Sequence, residues 1–105
     1  MSDLTNIEVK NQTEQSRYAL LFDGTTIGEV VYSLADDQFH ALHTIINPAV
    51  RGRGLGDILV TAMVEDIRHN TRYTIVPECS FVADWFHRHP QNEDLLRPRQ
   101  QPEAP

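Results

Sequence analysis

One change of hydrophobic period divides this chain, and it constrains the fold more than any other feature. Up to Ile46 apolar residues recur at strand spacing, and from Leu55 they recur at helical spacing. The switch is filled by Arg51-Gly52-Arg53-Gly54-Leu55-Gly56. With 105 residues there is room for one domain. The strands before the switch and the helix after it must therefore share one thin core.

Four strand-like runs precede the switch. Ile7 and Val9 alternate with polar neighbours; Arg17 to Phe22 forms a second run, closed by the hairpin-type turn Asp23-Gly24. Ile27 to Leu34 is rich in β-branched and aromatic residues, Ala35-Asp36-Asp37 turns the chain, and Phe39 to Ile46 ends at Asn47-Pro48. Short connections predict an antiparallel meander. From Leu55 to His69 a helix is expected, with Leu55, Ile58, Leu59, Ala62, Met63 and Ile67 on one face. Arg72 to Val76 reads as a short strand, parallel to the fourth because the crossover carries a helix. Ser80 to His89 reads as a last helix stopped by Pro90, with Phe81, Trp85 and Phe86 expected in the core. The order is β-β-β-β-α-β-α, an α+β fold. Residues 1–96 form the domain. Residues 97–105 hold three of the six prolines and are expected to be a flexible tail.

Charge narrows the partners. Fifteen acids against nine bases give a net charge of −6, and the acidity is uneven. The first fifty residues carry two bases and seven acids, the rest seven and eight. Nucleic-acid binding by phosphate neutralisation is a poor fit, while a local basic loop can still hold a small anion. A single cysteine, Cys79, excludes a disulfide framework and a cysteine-rich zinc site. His-x-x-x-His and Cys-x-x-Cys spacings are absent, so no metal is expected. Residues 1–10 contain no apolar signal core and no apolar run nears the length of a membrane span, so the expected compartment is the cytoplasm.

The glycine-rich switch carries the chemistry. Alternating glycines free the backbone for positive φ, and successive N–H groups can form an anion-binding nest. The following helix adds unpaired donors and its positive dipole end. Arg51 and Arg53 add charge. The segment lacks the Gly-Lys-Ser/Thr of a Walker loop, and Asp57 stands where the dinucleotide fingerprint needs its third glycine. A plain packing turn needs only one glycine.

Arg51-x-x-Gly54-x-Gly56, after a strand and before a helix, resembles the acyl-CoA-binding motif of the GNAT superfamily of N-acyltransferases. His43-Thr44, the run Pro77-Glu78-Cys79-Ser80-Phe81-Val82 and Arg88-His89-Pro90 narrow the resemblance. Together they are similar to the small "N-acetyltransferase domain" proteins, a minimal GNAT branch, over residues 5–96. The resemblance implies a GNAT-like fold in which the strands flanking the loop and its helix splay apart. It implies acetyl-CoA or coenzyme A as cofactor. Thr44, Ile45 and Ile46 would lie against the pantetheine. The backbone of Arg51, Gly52, Arg53, Gly54, Leu55 and Gly56 would cradle the pyrophosphate. Cys79 would face the thiol end. The implied activity is acetyl transfer to an amine, on a protein or a small molecule, with an acetyl-Cys79 relay as one route; the alternative is a non-catalytic CoA-binding module. The sequence departs from the family pattern at Ile45, where many relatives carry an acid, at Asn47, a frequent proline, and at Glu78, usually neutral. It also has no room between Lys10 and Ser16 for the two helices that wall the acceptor site in longer relatives. The expected partners are acyl-CoA and the amine; nucleic acid and membrane are not among them, and the chain is expected to be a monomer or weak dimer.

Two residues are candidates for catalysis. Cys79 precedes a helix, whose N-terminus favours a thiolate, although a small buried hydrophobe is the commoner role of free cysteine. His43 suits a general base at neutral pH, although a core or hydrogen-bonded structural histidine is more ordinary. Strict strand alternation places His43 opposite Thr44, and His40 on the Thr44 face. Arg68 and Arg72 are expected in solvent rather than on a nucleotide phosphate.

Overall fold

The computed structural model describes residues 6–99. Strands β1 (Ile7–Gln12), β2 (Arg17–Phe22), β3 (Thr25–Ala35) and β4 (Gln38–Ile46) form an antiparallel meander, and β5 (Thr74–Pro77) adds to β4 in parallel. Helix α1 (Leu55–Asn70) makes the crossover and α2 (Ser80–Arg88) follows β5. The sheet order is β1-β2-β3-β4-β5, as the periodicity predicts. Asp23 and Gly24 both take positive φ, the geometry that lets a two-residue turn follow the strand twist. Between β1 and β2 the chain makes a single 3-10 turn, Thr13–Gln15, instead of helices.

Tyr18, Leu20, Val30, Tyr32, Phe39 and Ala41 meet α1 in one core. The buried stripe of α1 is Leu55, Gly56, Leu59, Val60, Met63, Val64 and Ile67. Val60 and Val64 thus take the places expected for Ile58 and Ala62, which sit half-buried at its margin. Each fully buried aliphatic side chain here contributes about 1.5–3 kcal/mol. The Tyr18 hydroxyl donates to Asp66 at 2.6 Å. Burial, reinforced by that carboxylate, pushes the Tyr18 phenol far above its ordinary range. Trp85 and Phe86 of α2 join the core, and the Trp85 indole donates to Thr61 at 3.3 Å. His89 stacks on Trp85 and donates from Nδ1 to the Trp85 carbonyl at 2.8 Å, closing α2 before Pro90.

The C-terminal segment is pinned further than composition suggests. A 3-10 stretch, Pro90–Leu96, buries Leu95 completely. Arg68 donates to Asp94 and Asn92 at 2.9–3.0 Å, and Arg99 donates to the carbonyls of Tyr73 and Arg68. Arg68 is therefore neither a solvent residue nor near the glycine loop, which lies at the other end of its helix. Arg97 and Arg99 of the expected tail are hydrogen-bonded to the domain; residues 100–105 lie outside the described part. Among the described residues no helix is long and apolar enough to cross a membrane.

Candidate active site

The site begins where β4 and β5 part. Their pairing runs from Gln38↔Thr74 to Ala41↔Pro77 and stops. The Ala41 carbonyl then accepts from both Glu78 N–H and Cys79 N–H, each at 3.0 Å. From there the chain turns away into α2, while β4 runs on from Leu42 to Ile46 without a partner on that side. The result is a wedge with one free strand edge.

A β-bulge reorients the side chains of that edge. Tyr32 pairs with Ala41 and Val31 with His43, leaving Leu42 as the extra residue. Beyond it every side chain changes face. Ala41, Thr44 and Ile46 share the helix-covered face, opposite Tyr32, Val30 and Gly28. His40, His43 and Ile45 share the open face. Strict alternation had placed His40 with Thr44; the bulge is why it does not lie there. His43 is exposed, not a core residue.

Two clefts flank the wedge. The first, of about 490 Å³, is lined by Thr44, Ile46, the loop from Val50 to Gly56 (except Arg53), Asp57, Phe81 and Arg88. Gly52 and Gly54 take positive φ, and a Cβ on either would stand in open space. Gly54 caps α1 without a side chain, leaving the first N–H groups of a sixteen-residue helix available. Gly56 is small for another reason, since a Cβ there would collide with the Phe81 ring. Phe81 itself is exposed and fills the space beside Gly56, contrary to its expected place in the core. The Arg51 guanidinium donates to the Ile46 carbonyl at 3.3 Å, tying loop to strand. Arg88 grips the Asp57 carboxylate with two nitrogens at 3.0 and 3.2 Å and reaches Asp84 at 3.0 Å. Hydrogen bonding to Arg88 holds Asp57 below the usual carboxylate range.

The second cleft, of about 470 Å³, is lined by Leu42, His43, Thr44, Ile45, Glu78, Cys79, Ser80 and Phe81. Thr44 and Phe81 line both clefts, so the two meet at the wedge. Cys79 lies beneath that seam, 9% exposed, with its sulfur 3.1 Å from the Thr44 hydroxyl. The same sulfur accepts from Val82 N–H at 3.4 Å, so the thiol caps α2. On the open face, His40 Nδ1 lies 2.5 Å from the Glu78 carboxylate, and its Nε2 lies 3.1 Å from the Gln38 side-chain oxygen.

The fold thus brings together Thr44, Ile46, Cys79 and the glycine loop around one seam, with His43 and Ile45 facing the second cleft. Arg53 lies outside the lining, at the exposed rim of the loop. Two side-chain pairs, His40–Glu78 and Asp57–Arg88, join residues 38 and 31 positions apart. The first could have been found by writing β5 parallel to β4 in register, which sets His40 opposite Val76, two residues before Glu78. The second had no signal beyond Arg88 one helix away. Among the described residues no cluster of His, Cys, Asp or Glu is disposed to hold a metal ion.

A family model described as GCN5-related N-acetyl-transferase matches residues 17–95. That span begins at β2 and includes the wedge, the loop, Cys79 and α2. No curated protein matches the chain.

Proposed function

The chain belongs to the GCN5-related N-acetyl-transferase family, and from that premise we propose that it transfers an acetyl group from acetyl-CoA to an amine. The observation that carries this reading is the meeting of an anion-accepting cleft and an open cleft at Thr44 and Phe81, where β4 leaves β5.

The residues fit such a donor. The backbone from Gly52 to Gly56 offers N–H groups at a helix N-terminus for a pyrophosphate, with open space above Gly52 and Gly54. Arg51 and Arg53 add positive charge. Thr44, Ile45 and Ile46 present the free backbone edge to which an amide-bearing pantetheine arm can pair. Bound there, the thioester supplies an activated acyl group. A backbone N–H at the wedge can donate to the acyl oxygen as negative charge develops on it, the largest kind of stabilisation available to acyl transfer. Thr44 and Cys79 fix the walls of the acyl end. The amine arrives from the open-face cleft past His43 and Ile45. The single turn at Thr13–Gln15 leaves this face unwalled, which suits an amine carried on a large acceptor such as a protein, or a small one held by few contacts.

A relay through Cys79 is a second reading, favoured by its position. The thiol stands at the N-terminus of α2 where the two clefts meet, with Val82 N–H directed at it, within reach of an acyl group held at the seam. To accept an acyl group it must give up that cap. Intact-mass measurement after incubation with acetyl-CoA separates the readings. The relay requires an added acetyl group in wild type that vanishes in Cys79→Ala, and an unmodified wild type removes it. For the function itself, CoA release must depend on added amine. Binding of CoA without release leaves a carrier or sensor module as the description.

A further inference from the structure

We infer that Glu78, positioned by His40, is the proton acceptor of the transfer, a catalytic carboxylate just past the end of β5 that serves where β4 has none. The inference rests on the transfer reading above and names a residue for it. The open-face cleft contains Ile45, an apolar side chain that can take no proton. Glu78 lines the same cleft from just past the end of β5, together with Cys79, Thr44 and Phe81. It is set at the point where the wedge opens, because its N–H is fixed to the Ala41 carbonyl at 3.0 Å. The register puts His40 opposite Val76, so Glu78, two residues on, shares the open face with His40.

The pair is arranged to hold a carboxylate still while leaving it reachable. His40 Nδ1 engages one Glu78 oxygen at 2.5 Å, and His40 Nε2 is set by the Gln38 oxygen at 3.1 Å. Both ring nitrogens thus face acceptors, which orients the imidazole. The other Glu78 oxygen takes no hydrogen bond from the described residues, and the side chain is 47% exposed. The free oxygen and the exposure leave Glu78 reachable from the cleft that it lines.

The step balances as follows. The amine, having lost its ammonium proton to water, attacks the acyl carbon. The C–N bond forms, and one N–H proton passes to the Glu78 carboxylate. The C–S bond breaks with its electron pair on sulfur. Glu78 then returns the proton, directly or through water, to the departing thiolate, and the amide leaves.

Thiol release from acetyl-CoA is measured with three probe amines, a lysine-containing peptide, spermidine and hydroxylamine, alongside calorimetric CoA affinity and the folding midpoint. Glu78→Gln keeps the shape and should lower kcat by about 10²–10⁴-fold, with KM for acetyl-CoA, CoA affinity and the midpoint unchanged. Glu78→Ala should be as slow, and added formate should restore part of its rate, which no structural clip would allow. His40→Ala should lose less, roughly tenfold, in kcat and not in KM, with no gain from formate. A Glu78→Gln rate within about twofold of wild type, or a Glu78→Ala loss that formate leaves untouched, overturns the base while the transferase reading stands. Wild type that binds CoA but releases no thiol above the uncatalysed rate with any probe overturns that reading, and the base with it.

Discussion

The loop-side cleft and the open-face cleft meet at two residues but are built from different materials. The first is backbone: positive-φ glycines, a bare helix N-terminus and the free edge of β4. The second is side chains: His43, Ile45, Glu78 and Cys79, brought together by a bulge and by the end of a strand pairing. A backbone site grips any ligand with the right phosphate and amide pattern, and single side-chain changes around it should cost little. A side-chain site sets chemistry, and each of its members should matter to rate and little to donor binding. The comparison breaks if mutations in one cleft act as expected of the other.

The largest effect should come from closing the backbone nest. Gly54→Val places a branched side chain at φ 73 in the space left for an anion. CoA affinity should fall about 100-fold or more, the worth of several charge-assisted donors, and stability by about 1–3 kcal/mol. Calorimetry and urea unfolding report the two separately. His43→Ala on the open face should leave CoA affinity unchanged and lower amine-dependent thiol release by roughly tenfold, because His43 lines the path of the amine. A change in CoA affinity as large as that in rate would erase the division between the clefts. Arg51→Ala and Arg53→Ala should each weaken CoA binding only about three- to tenfold, by a margin that shrinks at high salt.

The smallest effects concern the walls. Thr44→Val removes the hydroxyl partner of Cys79 and should cost about 0.5–1.5 kcal/mol in urea unfolding. Asp57→Asn tests the ion pair at the mouth of the loop. Arg88 lowers the folded pKa of Asp57 below its unfolded value. The pair's contribution is therefore present above about pH 4 and fades as pH falls through the folded value. The wild-type advantage over Asp57→Asn should be small at neutral pH and absent in strong acid. Removing an acid beside the anion site should also raise CoA affinity slightly.

The same division governs what the sequence makes legible. Backbone features announce themselves locally: Asp23-Gly24 marks its hairpin, and Arg51 to Gly56 marks the nest, since glycine at positive φ and a following amphipathic stripe are short-range signals. The meander and the parallel β5 follow from connection lengths. What stays hidden depends on pairing. No local signal marks Leu42 as the bulged residue, yet it decides which side of the sheet His40, His43 and Ile45 face. Phe81 has core spacing on α2 and is exposed because it packs over Gly56 at the seam. Arg68 looks like a solvent residue until the C-terminal segment folds back beneath it. The His40–Glu78 pair needs both the register of β4 with β5 and the point at which it stops.

The central claim is that the loop and the free edge of β4 bind coenzyme A as one site. A titration of labelled protein with CoA, followed by backbone amide NMR, tests it directly. Saturable shifts should concentrate on Thr44, Ile45, Ile46, the amides of Gly52 to Gly56 and Cys79, and they should be lost in Gly54→Val while the rest of the spectrum remains folded. Shifts that never saturate, or that map to the far end of α1 and leave the loop unmoved, contradict the account.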